Sequence, residues 1–397
     1  MTAPLTPTPA RQEWRAPLRG AAAWLRGCLL WLAASGAPLH AQALDEAAIQ
    51  QRAAAAKFDE LKGLEAASAR GDPVAMYWWG SLIGHCIYGP CAPQAERALV
   101  RKSALAGYSA ARVSLMRNAE SAAELDAVIA DIGAPRTTQE QSTYVLMLAT
   151  FNVPGAVAQL EQLTRATAAE GSLFPLLTKV SLEGSKNQEP LLRALVEAGT
   201  DKALAMLVRH QLVYLRVPKE QLVERALAGD RLLALALCGD WRARTESAVL
   251  PPALLPRCEQ AAREGYPAAL DALIAHHVAT GKLQSARYFA DLCERLYATH
   301  CAESAADAYQ ALATATPTVD LILQADYWNR LAGNTEQTQE QPVPLARRLY
   351  AIRVRNASLL RACNASKYAA ASGRFEISAE CPWRKPVRID ERYMGAS

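Results

Sequence analysis

Residues 66–115 read AASARGDPVAMYWWGSLIGHCIYGPCAPQAERALVRKSALAGYSAARVSL, and the punctuation repeated inside this stretch decides the fold. Ala69-Arg70-Gly71-Asp72-Pro73-Val74-Ala75 is followed 36 residues later by Leu105-Ala106-Gly107-Tyr108-Ser109-Ala110-Ala111. The same offset separates Ala226-Leu227-Ala228-Gly229-Asp230 from Ala262-Arg263-Glu264-Gly265-Tyr266, which continues Pro267-Ala268-Ala269. Weaker copies stand at Ala169-Glu170-Gly171 and at Glu197-Ala198-Gly199-Thr200-Asp201-Lys202-Ala203. In each copy a helix-like run ends at Gly and a new run opens within three residues. A Gly just past a helix C-terminus takes the left-handed conformation at little steric cost, and its amide caps the last carbonyls. The Asp, Ser or Pro that follows suits a first helical turn. Four positions after Gly71, Gly107, Gly199 and Gly265 the residue is always Ala, one turn into the new helix, where a short side chain lets two helices cross closely. Each unit therefore reads as a helix hairpin with an apolar face that it cannot bury alone.

The rest of the chain agrees with this reading. Apolar positions step at helical spacing in Leu204-Leu207-Leu212 with Tyr214, Leu222-Ala226-Leu227 and Leu270-Leu273-Ile274-Val278, and no continuous strand is placed before residue 373. The 397 residues are 51% hydrophobic, 21% charged and 7% aromatic, which excludes wholesale disorder and favours helix over sheet. A formal net charge of +4 over this length is not the footprint of a nucleic-acid binder.

Residues 1–43 read as an export signal: Arg11, Arg15, Arg19 and Arg26 lie ahead of or beside the apolar run Gly27–Ala37, and Pro38 is followed by a small-x-small site at Ala41 and Ala43. The alternative, a retained N-terminal anchor, is weakened by the length of the run, since a spanning helix needs about 20 apolar residues. Cys28 precedes the apolar run instead of following it, so lipidation there is rejected. Removing the segment leaves a net charge of +1 and eight cysteines in four local couples: Cys86 with Cys91, Cys238 with Cys258, Cys293 with Cys301, and Cys363 with Cys381. An even number in an exported chain suggests disulfides, and local pairing is the simplest connectivity. The competing reading is a metal site, because His85 adjoins Cys86 and His300 adjoins Cys301, but paired CxxC or HxxxH spacings are absent. The expected compartment is the periplasm or the exterior, with no cofactor.

The stretch Ala66–Leu115 resembles a Sel1-like repeat, a relative of the tetratricopeptide repeat, with Gly71, Ala75, Gly80, Gly89, Ala95 or Ala98, Ala104 and Gly107 at comparable positions. Cys258–Tyr309 is similar, through Gly265, Ala269, Ala286-Arg287-Tyr288-Phe289 and Cys293, and the spacing of Cys293 and Cys301 resembles that of secreted cysteine-rich members. The match covers about a hundred residues in two blocks and is degenerate between them, where residues 120–200 lose the Gly-rich turn. What the resemblance implies is an all-α, right-handed α-solenoid of stacked hairpins over residues 44–340 that presents its surface to other proteins. The family shares no catalytic residues, although some cysteine-rich members are linked to β-lactam or peptidoglycan ligands.

From Pro342 the composition shifts. Residues 345–397 carry eleven basic and four acidic residues, a net of +7, against −6 for the rest of the chain after residue 43. Residues 341–372 read as a basic capping helix, with Leu345, Leu349, Ile352, Leu359 and Cys363 near one face, and 373–397 as a short extended C-terminal arm. Arg347, Arg348 and Arg355, with Arg353 and Arg361, are candidates for an acidic partner, anionic headgroups or cell-wall polymers; the alternative is a solvated face on the cap. The sequons at Asn356 and Asn364 fall on the expected helix and are discounted. Tyr77, Trp78 and Trp79 form the strongest aromatic cluster, weighed between core and an exposed partner anchor.

No G-x-S-x-G, H-E-x-x-H, P-loop or G-x-G-x-x-G pattern occurs. His276 and His277 adjoin, but successive helical residues point about 100° apart and do not share a ligand. The sequence thus leads to an exported scaffold or adaptor for another envelope or secretion-related protein. The alternative is a hydrolase or ligand-binding protein acting on peptidoglycan or β-lactam-like molecules.

Overall fold

A computed structural model describes residues 44–168, 189–197, 201–245, 248–334, 342–369 and 374–394. The expected signal with its site at Ala41 and Ala43, and the weak repeat glycines Gly171 and Gly199, lie outside the described residues. The described chain is all-helical apart from one minimal strand pair. It begins with α1 (Glu46–Ala54), α2 (Gly63–Ala69), α3 (Pro73–Gly84), α4 (Pro93–Leu105), α5 (Ser109–Arg117), α6 (Ala122–Ile132), α7 (Thr138–Thr150) and α8 (Ala156–Ala168). It continues through α9 (Glu189–Glu197), α10 (Asp201–Arg209), α11 (Lys219–Leu227), α12 (Arg231–Thr245), α13 (Leu255–Arg263) and α14 (Pro267–Ala279). The last helices are α15 (Leu283–Tyr297), α16 (Ala302–Ala315), α17 (Val319–Leu331) and α18 (Val343–Asn364). Among the described residues no helix is long and apolar enough to cross a membrane.

The punctuation seen in the sequence has a common geometry. Gly71 sits at φ +88°, its amide donates to the Ser68 carbonyl at 2.9 Å and the Asp72 amide reaches back to Ala67 at 3.2 Å. These bonds satisfy carbonyls that the end of α2 leaves open. Asp72 then caps α3, its Oδ1 accepting from the Ala75 amide at 2.8 Å, with Pro73 filling a position that needs no donor. The same pair of amide-to-carbonyl bonds recurs at Gly107–Tyr108 and Gly265–Tyr266. Ala75, Ala111 and Ala269, the alanines one turn into each following helix, are completely buried.

Neighbouring helices pack in sequence: α2 on α3, α3 on α4, α4 on α5. In the second half alternate helices also meet, α10 with α12, α12 with α14 and α14 with α16. One apolar core runs from Leu192 in α9 to Met394. The α4–α7 region instead has two small clusters, around Ala104 and Met116, and a buried ion pair. Arg112 and Glu140 are each 1% exposed and meet at 2.9 Å. Arg112 also donates to the carbonyls of Ile132, Gly133 and Ala134, while Glu140 accepts from the Arg136 amide. Burial alone would raise the Glu140 pKa, but the donated bonds from Arg136, Ser109 and Arg112 and the charge of Arg112 hold it below the usual range.

The four local cysteine couples are the four disulfides: Cys86–Cys91, Cys238–Cys258, Cys293–Cys301 and Cys363–Cys381. The last helix differs from the expected 341–372. It ends at Asn364, and β1 (Lys367–Ala369) pairs antiparallel with β2 (Arg374–Glu376), Tyr368 opposite Phe375. The turn-back follows from two local ties, the Cys363–Cys381 bond and the Ser378 amide donating to Ser366 Oγ at 3.1 Å. Beyond Cys381 the chain runs along α13–α15. The Arg384 amide donates to Gly265 at 2.9 Å, the Val387 amide to Arg263 at 2.7 Å, and Tyr393 stacks on Tyr288 at 4.2 Å. Gly265 permits this approach, because a Cβ there would run into the Lys385 backbone.

His277 is fully buried and stacks flat on Phe289, with ring centroids 5.5 Å apart. Burial pushes its pKa down to about 4, helped by His276 and Lys282. His276 Nδ1 instead accepts from the Leu250 amide at 3.1 Å, so each ring has a separate structural position.

Candidate functional site

Helix α18 is the element through which distant parts of the chain meet. It packs against α1 and α17, and its polar side chains reach groups about 260 residues earlier in the sequence. Arg347 Nε donates to the Ile87 carbonyl at 3.1 Å, and Tyr350 shares a 3.0 Å bond with Ser81. Arg361 donates to Gln50 at 2.6 Å. On its other side Arg348 bonds Gln324 at 2.9 Å and both Glu294 oxygens at 3.2 Å. Its guanidinium lies 3.6 Å from the Tyr327 ring centroid. Arg355 donates to the carbonyls of Glu294 and Arg295 in the last turn of α15, where a cation complements the helix dipole.

Of the two groups of residues singled out in the sequence as partner contacts, one member of each, Trp79 and Arg347, meets the same ring, Tyr88. Trp79 stacks on Tyr88 at 5.1 Å, and the Arg347 guanidinium lies over both Tyr88 and Phe58, 5.9 and 5.7 Å from their centroids. Trp78 is core, 7% exposed, and half-buried Tyr77 meets Tyr108 edge-on. Arg347, Arg348 and Arg355 bind the chain's own carbonyls, carboxylates and rings. They still line an open cleft of about 430 Å³ whose floor is Ala54, Ala351 and Ile352.

A second cleft, of about 320 Å³, opens on the opposite flank of α18, between it and the end of α3. His85, Glu96, Tyr350 and Arg353 line it, with the Cys86–Cys91 disulfide and apolar Ala346 and Leu349. The Glu96 carboxyl occupies space that Gly84 leaves free, since a Cβ on Gly84 would overlap it. His85 Nδ1 is held by the Ser81 carbonyl at 2.8 Å, which leaves Nε2 as the other ring nitrogen. Burial raises the Glu96 pKa against the opposing pull of His85 and Arg97, and burial lowers that of Arg353. Among the described residues no group of three His, Cys, Asp or Glu side chains could hold a metal ion.

Glu96, Tyr350 and Glu294 carry no sequence signal: each is one carboxylate or phenol among many, brought into place by tertiary contact. A third feature was also hidden. On α17, Val319, Ile322 and Leu323 are 76%, 53% and 59% exposed, a stripe at i, i+3 and i+4 that helical periodicity assigns to a core. Residues 302–326 around it hold Glu303, Asp307, Asp320 and Asp326 and no Lys or Arg, and Arg330 in the following turn pairs with Asp326 at 2.9 Å. No family model, curated protein or solved structure matches the chain.

Proposed function

We propose that this protein is an exported adaptor: a right-handed α-solenoid of Sel1-like hairpins, with a short C-terminal arm laid back along it, that holds another envelope or secretion-related protein. The observation that carries the reading is the α17 stripe of Val319, Ile322 and Leu323. Single exposed apolar residues are ordinary, but three adjoining ones on one helix face mark a place where another surface is buried. The surrounding charge supports one kind of occupant, an amphipathic helix with apolar positions for the stripe and Lys or Arg for the acidic flank of α16 and α17. The recurrent Gly and Ala punctuation and the alternate-neighbour packing of α10, α12, α14 and α16 support a repeat array. Four disulfides support export to an oxidising compartment. Engagement of Arg347, Arg348 and Arg355 within the chain gives less support to an anionic polymer or headgroup as the main ligand.

Affinity capture from the native envelope fraction tests this, with the wild type compared against Ile322→Glu/Leu323→Glu. The expected result is a stoichiometric protein that the wild type retains and the variant, with unchanged helical circular dichroism, loses. Equal retention by both would refute the reading.

A further inference from the structure

The cleft between α3 and α18 has an unusual charge arrangement for a structural seam. Arg353 lines it from α18 and Glu96 from α4. Among the described residues neither makes a direct ion pair or side-chain hydrogen bond, and the charges of His85 and Arg97 act on Glu96 only from further off. Both are nevertheless partly withdrawn from water, and burial disfavours the charge on each. Withdrawing an ion from solvent without a partner is costly, so structural cations and carboxylates are normally paired. Other arginines of this helix follow that rule: Arg348 is matched by Glu294 and Arg347 by Asp59. Arg353 and Glu96 break it within one cavity whose walls between them are apolar and aromatic.

We propose that this cleft is a binding site for a small zwitterion of the amino-acid type, with the ligand carboxylate on Arg353 and its ammonium on Glu96. Tyr350 and Leu349 contact the ligand body, and His85, fixed through Nδ1 on Ser81, offers Nε2 to a polar atom of the ligand. The volume of about 320 Å³ suits a single amino acid or a dipeptide. The Cys86–Cys91 bond and the Tyr350–Ser81 hydrogen bond fix the two walls in advance, which lowers the ordering cost of binding. The site is separate from the α17 stripe and stands or falls independently of the adaptor reading.

Isothermal titration of the full chain with alanine, alanyl-alanine, N-acetyl-alanyl-alanine and alanyl-alanine amide tests the assignment. Alanine and the dipeptide distinguish a free amino acid from a peptide end, and binding of either supports the site. Blocking the amine or the carboxylate is expected to weaken binding at least about tenfold, the loss of one charge partner. Glu96→Gln is expected to abolish the penalty for acetylation while keeping the penalty for amidation, and Arg353→Met the reverse. These exchanges of preference separate recognition from misfolding. No binding of any probe, or indifference to both blocking groups, overturns the proposal, as do variants that discriminate like the wild type.

Discussion

Replacing Arg112 by Met removes a cation buried among α5, α6 and α7, and the structure sets the size of the effect. Glu140, 1% exposed, keeps only weaker donors such as the Arg136 amide, and the carbonyls of Ile132, Gly133 and Ala134 lose their common donor. Breaking a buried pair from one side costs about 3–5 kcal/mol, because an uncompensated charge remains. Replacing both residues, Arg112→Met/Glu140→Met, removes that charge and leaves neutral groups without partners, the three carbonyls and the Arg136 amide, a residual cost of about 1–3 kcal/mol. The double variant is therefore expected to be more stable than Arg112→Met alone. Urea unfolding followed by far-UV circular dichroism measures the difference, and hydrogen exchange in peptides covering 122–150 locates it. An Arg112→Met variant within about 1 kcal/mol of wild type, or a double variant less stable than the single, would refute the reasoning.

Four further outcomes follow from named contacts. Gly71→Ala meets open space but must hold φ +88°, so it costs about 1 kcal/mol in thermal or urea unfolding. Gly265→Ala adds a collision with the Lys385 backbone; it loosens residues 382–394 and is seen as faster tryptic cleavage after Arg384 and Arg388. Because the His277 pKa is about 4 in the folded chain and about 6.5 unfolded, the unfolded chain takes up the proton first. Stability therefore falls as pH is lowered from about 6.5 to about 4, and His277→Leu flattens that slope in urea midpoints measured across the window. Arg348→Met loses the Gln324 and Glu294 bonds and the Tyr327 ring contact, about 1–2 kcal/mol, and speeds amide exchange in α18.

The hairpin punctuation was legible because it is local. A left-handed Gly, the amides that cap behind it and the Ala one turn on all lie within about eight residues, so Gly71, Gly107 and Gly265 declare themselves. The cysteine couples were legible for the same reason. The α18 seam was not: Arg347 meets Ile87 and Tyr350 meets Ser81 across 260 and 269 residues, and no periodicity relates those positions. Arg347, Arg348 and Arg355 were visible as a basic cluster, but only tertiary contact shows that they hold the chain's own groups. The α17 stripe inverts a rule that works elsewhere. Val319, Ile322 and Leu323 have core spacing, yet α16 takes the opposite face of α17 and leaves them in water.

The most direct test of the adaptor reading places a photo-crosslinking amino acid at Leu323 and, as a control, at Leu105, an apolar residue of comparable exposure at 53%. Irradiation in native cells is expected to join a second, different protein to position 323 and none to position 105. Products composed only of this chain, equal products at both positions, or no product at 323 would contradict the account.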